Sequence, residues 1–136
     1  LAGYRAALHA HRIHFDDSLV LLGANDIASG ERATQELLVL DDPATAIFCA
    51  NNRITVGALR ALHRDRSRRV ALVGFDDFEL ADMLEVPVTV VAYDPGELGR
   101  RAAELLCARI DGDERPPQRV VVLTHLVPRG SGEVKP

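Results

Sequence analysis

The chain alternates between short apolar runs and longer stretches in which apolar residues recur every three or four positions. A short unbroken apolar run is typical of a strand covered on both faces, and the wider spacing is typical of a helix with one buried side. Together they predict helices over residues 1–12, 31–38, 53–64, 78–84 and 95–111, and strands over residues 18–23, 46–50, 70–74, 88–92 and 119–127. Alternation of this kind predicts an α/β fold, a mostly parallel sheet in three layers.

Two doublets of polar residues stand where predicted strands end and helices begin. In Asn51-Asn52 and Asp76-Asp77 the second residue suffices to cap the following helix, so we predict that Asn52 and Asp77 are the caps. The first residue of each doublet is then free to face a ligand.

Ligands of parallel sheets bind outside the carboxyl ends of the strands, where Asn51 and Asp76 lie. An amide offers one acceptor and two donors, and a carboxylate offers acceptors only, which together suit the adjacent hydroxyls of a polyol. The residues therefore point to a carbohydrate-like ligand. The alternative, that both are turn residues chosen for local hydrogen bonds to the backbone, stays open on composition alone.

Composition narrows the class of protein. A chain of 136 residues with 47% hydrophobic residues is long enough for one core, and a net charge of -4 argues against binding nucleic acid through bulk charge. The apolar runs fall short of the roughly 18 residues that a transmembrane helix needs. Two cysteines, Cys49 and Cys107, form no disulfide framework, which favours a reducing compartment, the cytoplasm.

Catalytic and metal-binding motifs are not recognisable in the sequence. His9, His11 and His14 are spaced so that their side chains diverge on a helix, and Asp76 and Asp77 are successive residues, which usually point apart. The glycine-rich loops of phosphate- and dinucleotide-binding proteins and the nucleophile elbow are also missing. We expect no metal, no cofactor and no enzymatic activity.

Five segments follow one another in the order and spacing of a known family. They are residues 46–61 (AIFCANNRITVGALRA), 70–77 (VALVGFDD), 88–91 (VTVV), 97–106 (ELGRRAAELL) and 126–131 (LVPRGS). With them the chain resembles, over nearly its whole length, the lactose and galactose repressor family of bacterial transcription regulators.

The resemblance implies an effector-binding region similar to type I periplasmic sugar-binding proteins, in which two α/β lobes close on a small molecule. Residues 1–92 would form the carboxyl-terminal lobe, residues 93–128 a long helix and a last strand returning toward the other lobe, and residues 129–136 a polar tail. The DNA-binding domain, the hinge, the first lobe and the opening strand would lie upstream of Leu1. Operator DNA would be a partner only through that upstream domain.

The resemblance also implies which residues hold the effector. The family uses the residues that match Asn51 and Asp76, and it often places an aromatic side chain near the position of Asn25. Two positions depart from the family: Asn52 replaces an Asp, and Tyr93 replaces a Gln. Tyr93 offers a flat apolar surface on which a sugar ring stacks, so we add it to the expected effector site.

Family members pair as homodimers, which implies an interface formed by Val56, Arg60, Leu80, Met83 and Leu84. Val56 and Leu80 have an alternative role as core residues of the lobe. The expected function is that of a sensor whose effector, a small molecule and most simply a sugar, changes operator affinity.

The alternatives are a monomeric periplasmic sugar-binding protein of a transport system and an α/β enzyme. Upstream sequence separates the first alternative from the regulator, since a signal peptide or a helix-turn-helix would lie there.

Overall fold

The computed structural model describes residues 1–65, 67 and 69–135. Its elements are α1 (Ala2–Ala10), α2 (Ile27–Leu38), β1 (Ala46–Cys49), α3 (Asn52–Arg64), β2 (Ala71–Phe75), β3 (Thr89–Tyr93), α4 (Pro95–Ile110) and β4 (Thr124–Val127), with short 3-10 turns at Asp17–Leu19 and Ser131–Glu133. The strands form one sheet in the order β1-β2-β3-β4, in which the first three are parallel and β4 is antiparallel to β3. The predicted α/β fold with a mostly parallel sheet is confirmed.

One face of the sheet carries the core. In β1 the buried Ile47 and Cys49 alternate with the exposed Ala46 and Phe48, so the side chains of one parity pack inward. Helix α3 lies on this face, and α2 packs against α3. The buried cluster comprises Ile47, Cys49, Ala58, Leu72, Ala81, Val88, Val90 and Ala92.

The opposite face of the sheet is covered differently. The 3-10 turn Ser131–Glu133 packs on β2, and a side chain built at Gly132 would meet Val73 at 3.1 Å. Phe48, which points to this face, is 57% exposed.

Two glycines let α2 and α3 approach closely. A Cβ at Gly57 would lie 2.3 Å from the backbone oxygen of Ile27, and a Cβ at Gly30 would lie 2.8 Å from the Cα of Ile54. Such contacts are far inside van der Waals distance, so only glycine fits at either position. The contact at Ile54 is three residues from Asn51, and it therefore holds the amino-terminal end of α3 in place.

The predicted strand over residues 18–23 is wrong. Residues Asp17–Leu19 form a 3-10 turn that the Asp16 side chain caps, and residues 20–25 run without strand pairing. A strand needs a neighbour whose backbone satisfies its N–H and C=O groups. Within the described residues β1 is an edge strand, and the apolar run at Leu19–Leu22 has no such neighbour.

The predicted helix over residues 78–84 is also wrong. The segment forms successive turns, with the Ala81 amide donating to the Phe78 oxygen and the Met83 amide donating to the Leu80 oxygen. The amide of Val88 then donates to the oxygen of Ala81 at 2.7 Å. That bond draws the segment back to the start of β3, which leaves too few residues for a regular helix.

The remaining elements agree with the prediction to within a few residues, apart from the last strand. Only Thr124–Val127 of the predicted strand 119–127 pair with β3. Helices α1 and α4 bury no residue, and α4 has an exposed apolar stripe that includes Leu106 and Ile110. No helix in the described part of the chain has the length and apolar character that crossing a bilayer requires.

Candidate functional site

The carboxyl ends of β1, β2 and β3 meet at one edge of the sheet. Cys49 pairs with Gly74 and Gly74 pairs with Val90, so two further residues along each chain bring Asn51, Asp76 and Ala92 level with one another. Tyr93 is the next residue of β3 and ends the strand. Three of the four predicted effector-binding residues therefore share this edge.

Asn25 lies on the segment that precedes α2. It is exposed and immediately precedes Asp26, the residue that caps α2. In the described part of the chain no hydrogen bond or ring contact links Asn25 to Asn51, Asp76 or Tyr93. Ile27, two residues further on, packs against Gly57 of α3, and the role of Asn25 in the site stays a prediction.

Asp76 has an unusual backbone and an unusual side chain. Its φ of 68° is in the left-handed region, which costs a residue other than glycine roughly 1–2 kcal/mol and is best tolerated by Asn and Asp. Its Oδ1 atom is buried and, among the described residues, has no hydrogen-bond partner. A buried acceptor left unsatisfied is costly, so this oxygen is well suited to accept a hydrogen bond from a ligand.

An aromatic pair borders this carboxylate. The rings of Phe75 and Tyr93 stack with centroids 6.1 Å apart and planes 29° from parallel. The charge of Asp76 raises the pKa of the Tyr93 phenol, and burial and hydrogen bonding with the same carboxylate add to the effect. The site thus combines an acceptor with a flat apolar surface, the two features that bind the edge and the face of a sugar ring.

Phe75 was not among the predicted site residues. The signal for it is the strand register: Phe75 pairs with Val91, so Tyr93, two residues further on, projects from the same face as a diagonal neighbour. Sequence alone does not reveal that register, because it depends on how two separate strands align.

Asn51 has a different local role from the one predicted. Its side chain, not that of Asn52, caps α3: the Oδ1 atom accepts a hydrogen bond from the Ile54 amide at 2.8 Å, and Asn52 is the first helical residue. The prediction that Asn52 is the cap and leaves Asn51 free is wrong, because the chain turns into the helix one residue earlier. The cap uses only the oxygen, and the amide nitrogen of Asn51 carries two further donors.

Asp77 caps no helix and instead binds Arg129. The two guanidinium nitrogens Nη1 and Nη2 donate to the two carboxylate oxygens, each at 2.7 Å. Arg129 holds the pKa of Asp77 below its usual value, mainly by this hydrogen bond. The Asp77 carboxylate also accepts a hydrogen bond from the Phe78 amide at 2.9 Å.

The predicted interface residues lie on two exposed segments. Val56 is half-buried and Arg60 is exposed on α3, one turn apart. Leu80 is 60% exposed and Met83 is 75% exposed in the turns after β2, and Leu84 is exposed as well. Leu80 is therefore not a core residue.

The described residues contain no group of three or more His, Cys, Asp or Glu side chains that could hold a metal ion. Two concavities, of about 590 and 230 Å³, lie elsewhere, the larger between α1 and residues 13–15 and the smaller beside the start of α2. Neither concavity is lined by Asn51, Phe75, Asp76 or Tyr93.

Comparison with known proteins shows which family this chain is similar to. A family model described as a periplasmic binding protein-like domain matches residues 1–132. The HTH-type transcriptional regulator CelR of Thermobifida fusca is 40% identical over 136 residues, which cover 97% of this chain and 40% of that protein. The HTH-type transcriptional repressor CytR of Escherichia coli (strain K12) is 30% identical over 139 residues, which cover 100% of this chain and 41% of that protein.

A solved structure gives the same result. The complex of the transcriptional regulator CelR with cellobiose superposes with a TM-score of 0.83 at 43% identity, covering 96% of this chain and 41% of that one. The chain thus spans about two fifths of the length of each of these matched proteins.

Proposed function

Because this chain belongs to the lactose and galactose repressor family of bacterial transcription regulators, we propose that it forms one wall of a sugar-binding site whose occupancy changes the affinity of a whole regulator for its operator DNA. In this proposal the chain is a receptor and not a catalyst, and the regulator acts in the cytoplasm. The named relatives are transcription regulators, which favours this function over that of a solute-binding transport protein.

The observation that carries the proposal is the buried, unpartnered Oδ1 of Asp76 beside the stacked rings of Phe75 and Tyr93. A sugar hydroxyl would donate to this oxygen, and an apolar face of the ring would lie on the aromatic pair. The amide nitrogen of Asn51 would donate to a second hydroxyl. Because a structure 43% identical to this chain is a complex with cellobiose, cellobiose is the sugar to test first.

The second wall of the site would come from a part of the protein outside this chain. The exposed apolar stripe of α4, which includes Ile110 at 75% exposure, supports the division in which residues 93–128 lead toward another lobe. Closing two lobes on a sugar would alter their relative positions. A coupling of this kind between effector and operator is typically worth about 1–3 kcal/mol and acts equally in both directions.

The proposal extends to self-association. Exposed apolar side chains at Leu80, Met83 and Leu84 form a patch next to β2, and such patches commonly mark interfaces. With Val56 and Arg60 on α3, they would form the surface on which two copies pair.

The decisive experiment is calorimetric titration of the full-length protein and its Asp76→Asn variant with cellobiose. Asn tolerates the left-handed backbone as Asp does, so the substitution removes the charge and leaves the fold intact. A hydrogen bond to a charged group is worth about 1.5–3 kcal/mol, so affinity should fall about tenfold to a hundredfold.

The control for this experiment is Asp17→Asn, because the Asp17 side chain is 90% exposed and its ion-pair partner is Arg5 of α1. That variant should bind cellobiose as the native protein does. Equal affinity of the native protein and the Asp76→Asn variant would show that the site lies elsewhere.

A further inference from the structure

The backbone of Asp76 is held in a conformation that residues other than glycine rarely adopt. Its left-handed conformation directs the carboxylate toward the buried position of Oδ1, and such a conformation persists only where the surroundings hold it. On the amino-terminal side the hold is clear: the Asp76 amide donates to the Val91 oxygen at 3.1 Å, at the end of the β2–β3 ladder. On the carboxyl-terminal side the backbone of Asp76 is restrained through its neighbour, Asp77.

Asp77 is fixed by a residue far away in sequence. Arg129 binds both of its carboxylate oxygens in a parallel fork, a geometry that fixes orientation as well as distance. The side chain of Arg129 is only 18% exposed, and its Nη1 also donates to the Val88 oxygen at 3.3 Å. This pair is therefore more constrained than an ordinary surface ion pair.

The segment that carries Arg129 is itself anchored under the sheet. The Arg129 amide donates to the Thr89 hydroxyl at 2.9 Å. The buried Ser131 hydroxyl donates to the Leu72 oxygen at 2.5 Å and accepts from the Thr89 amide at 2.8 Å. These bonds join residues 129–131 to the bodies of β2 and β3, so the guanidinium has a rigid support.

We propose that Arg129 is a positioning residue: through its fork to Asp77 it holds the Asp76 carboxylate in the orientation that binds the sugar, without touching the sugar itself. This inference rests on the proposed function. A chain of contacts runs from Ser131 through Arg129 and Asp77 to Asp76, and each link is a hydrogen bond or a peptide bond.

Two substitutions in the full-length protein test the positioning role by calorimetry with cellobiose. Arg129→Gln keeps hydrogen-bond donors but loses the charge and the fork, and it should weaken binding about tenfold, whereas Arg129→Lys, which keeps the charge, should weaken it less. In an Asp76→Asn background, Arg129→Gln should add no more than about a twofold loss, because both changes act on the same carboxylate. If the two losses of cellobiose affinity instead multiplied in full in the double variant, the proposal would be wrong.

Arg115→Gln is the matched control. Arg115 also forms a two-point bridge, to Asp113 at 2.7 and 2.9 Å, but on the exposed segment after α4. Its loss should leave cellobiose affinity unchanged. A tenfold loss in this variant as well would mean that any lost ion pair weakens binding, and the specific role of Arg129 would be refuted.

Hydrogen exchange tests the same inference without a ligand. In Arg129→Gln the amides of Asp76 and Phe78 should exchange at least about tenfold faster, while amides within α3 keep their native rates. Unchanged exchange at Asp76 and Phe78 would overturn the inference. Failure of the native protein to bind cellobiose would instead refute cellobiose as the effector, and the exchange rates would still decide whether Arg129 holds Asp76.

Discussion

Replacing Gly57 by Ala perturbs the contact between α2 and α3 on which the site depends. The added Cβ would lie 2.3 Å from the Ile27 oxygen, 2.7 Å from the Glu31 nitrogen and 2.9 Å from the Gly30 carbonyl carbon. All three are backbone atoms within α2, so no side chain can rotate away to make room. The two helices must move apart.

The size of the effect follows from two opposing terms. Overpacking a close contact costs about 1–3 kcal/mol, and rigid backbone neighbours favour the upper end of that range. Alanine recovers about 1 kcal/mol through its better helix propensity. We therefore expect Gly57→Ala to lower the free energy of unfolding by about 2 kcal/mol.

Urea unfolding of the full-length protein, followed by circular dichroism, measures this change, and cellobiose titration reports whether Asn51 moves with α3. Gly99→Ala is the matched control because its Cβ would meet nothing within 4 Å on α4. That variant should gain up to about 1 kcal/mol. If Gly57→Ala were as stable as Gly99→Ala, the close packing of α2 on α3 would be wrong.

Two further predictions concern titratable groups. Arg129 holds the pKa of Asp77 below its usual value, so the ion pair stabilises the folded state. This stabilisation is complete above about pH 5, where an unfolded Asp is ionised. It is lost as the pH falls through the lower pKa of Asp77 in the folded state. The urea midpoints of native protein and Arg129→Gln should therefore converge only below about pH 4, and a difference that stays constant to pH 2 would contradict this. Burial raises the pKa of the Cys49 thiol to about 11, whereas Cys107 is exposed. Iodoacetamide at pH 8 should modify Cys107 in the folded protein and Cys49 only after denaturation, as peptide mass mapping will show, and rapid early modification of Cys49 would refute its burial.

Local pattern determined much of the fold. The strands β1, β2 and β3 begin and end within one residue of their predicted positions, because a short apolar run between turn residues is typical of a strand. Parallel strands end at one edge, so the order of the elements alone predicted that Asn51, Asp76 and Tyr93 would meet.

Pairing between segments distant in sequence decided features of the fold that the local pattern of apolar residues could not. The run at Leu19–Leu22 is as apolar as β1, yet it is not a strand, because a strand exists only where a neighbour offers hydrogen bonds. The register of β2 against β3 brought Phe75 to Tyr93, and two residues 52 apart in sequence, Asp77 and Arg129, became partners. Sequence periodicity describes which face of an element is apolar. Contacts between distant elements depend instead on packing in three dimensions. The contact between Arg129 and Asp77, which orients the Asp76 carboxylate in our proposal, is of this second kind.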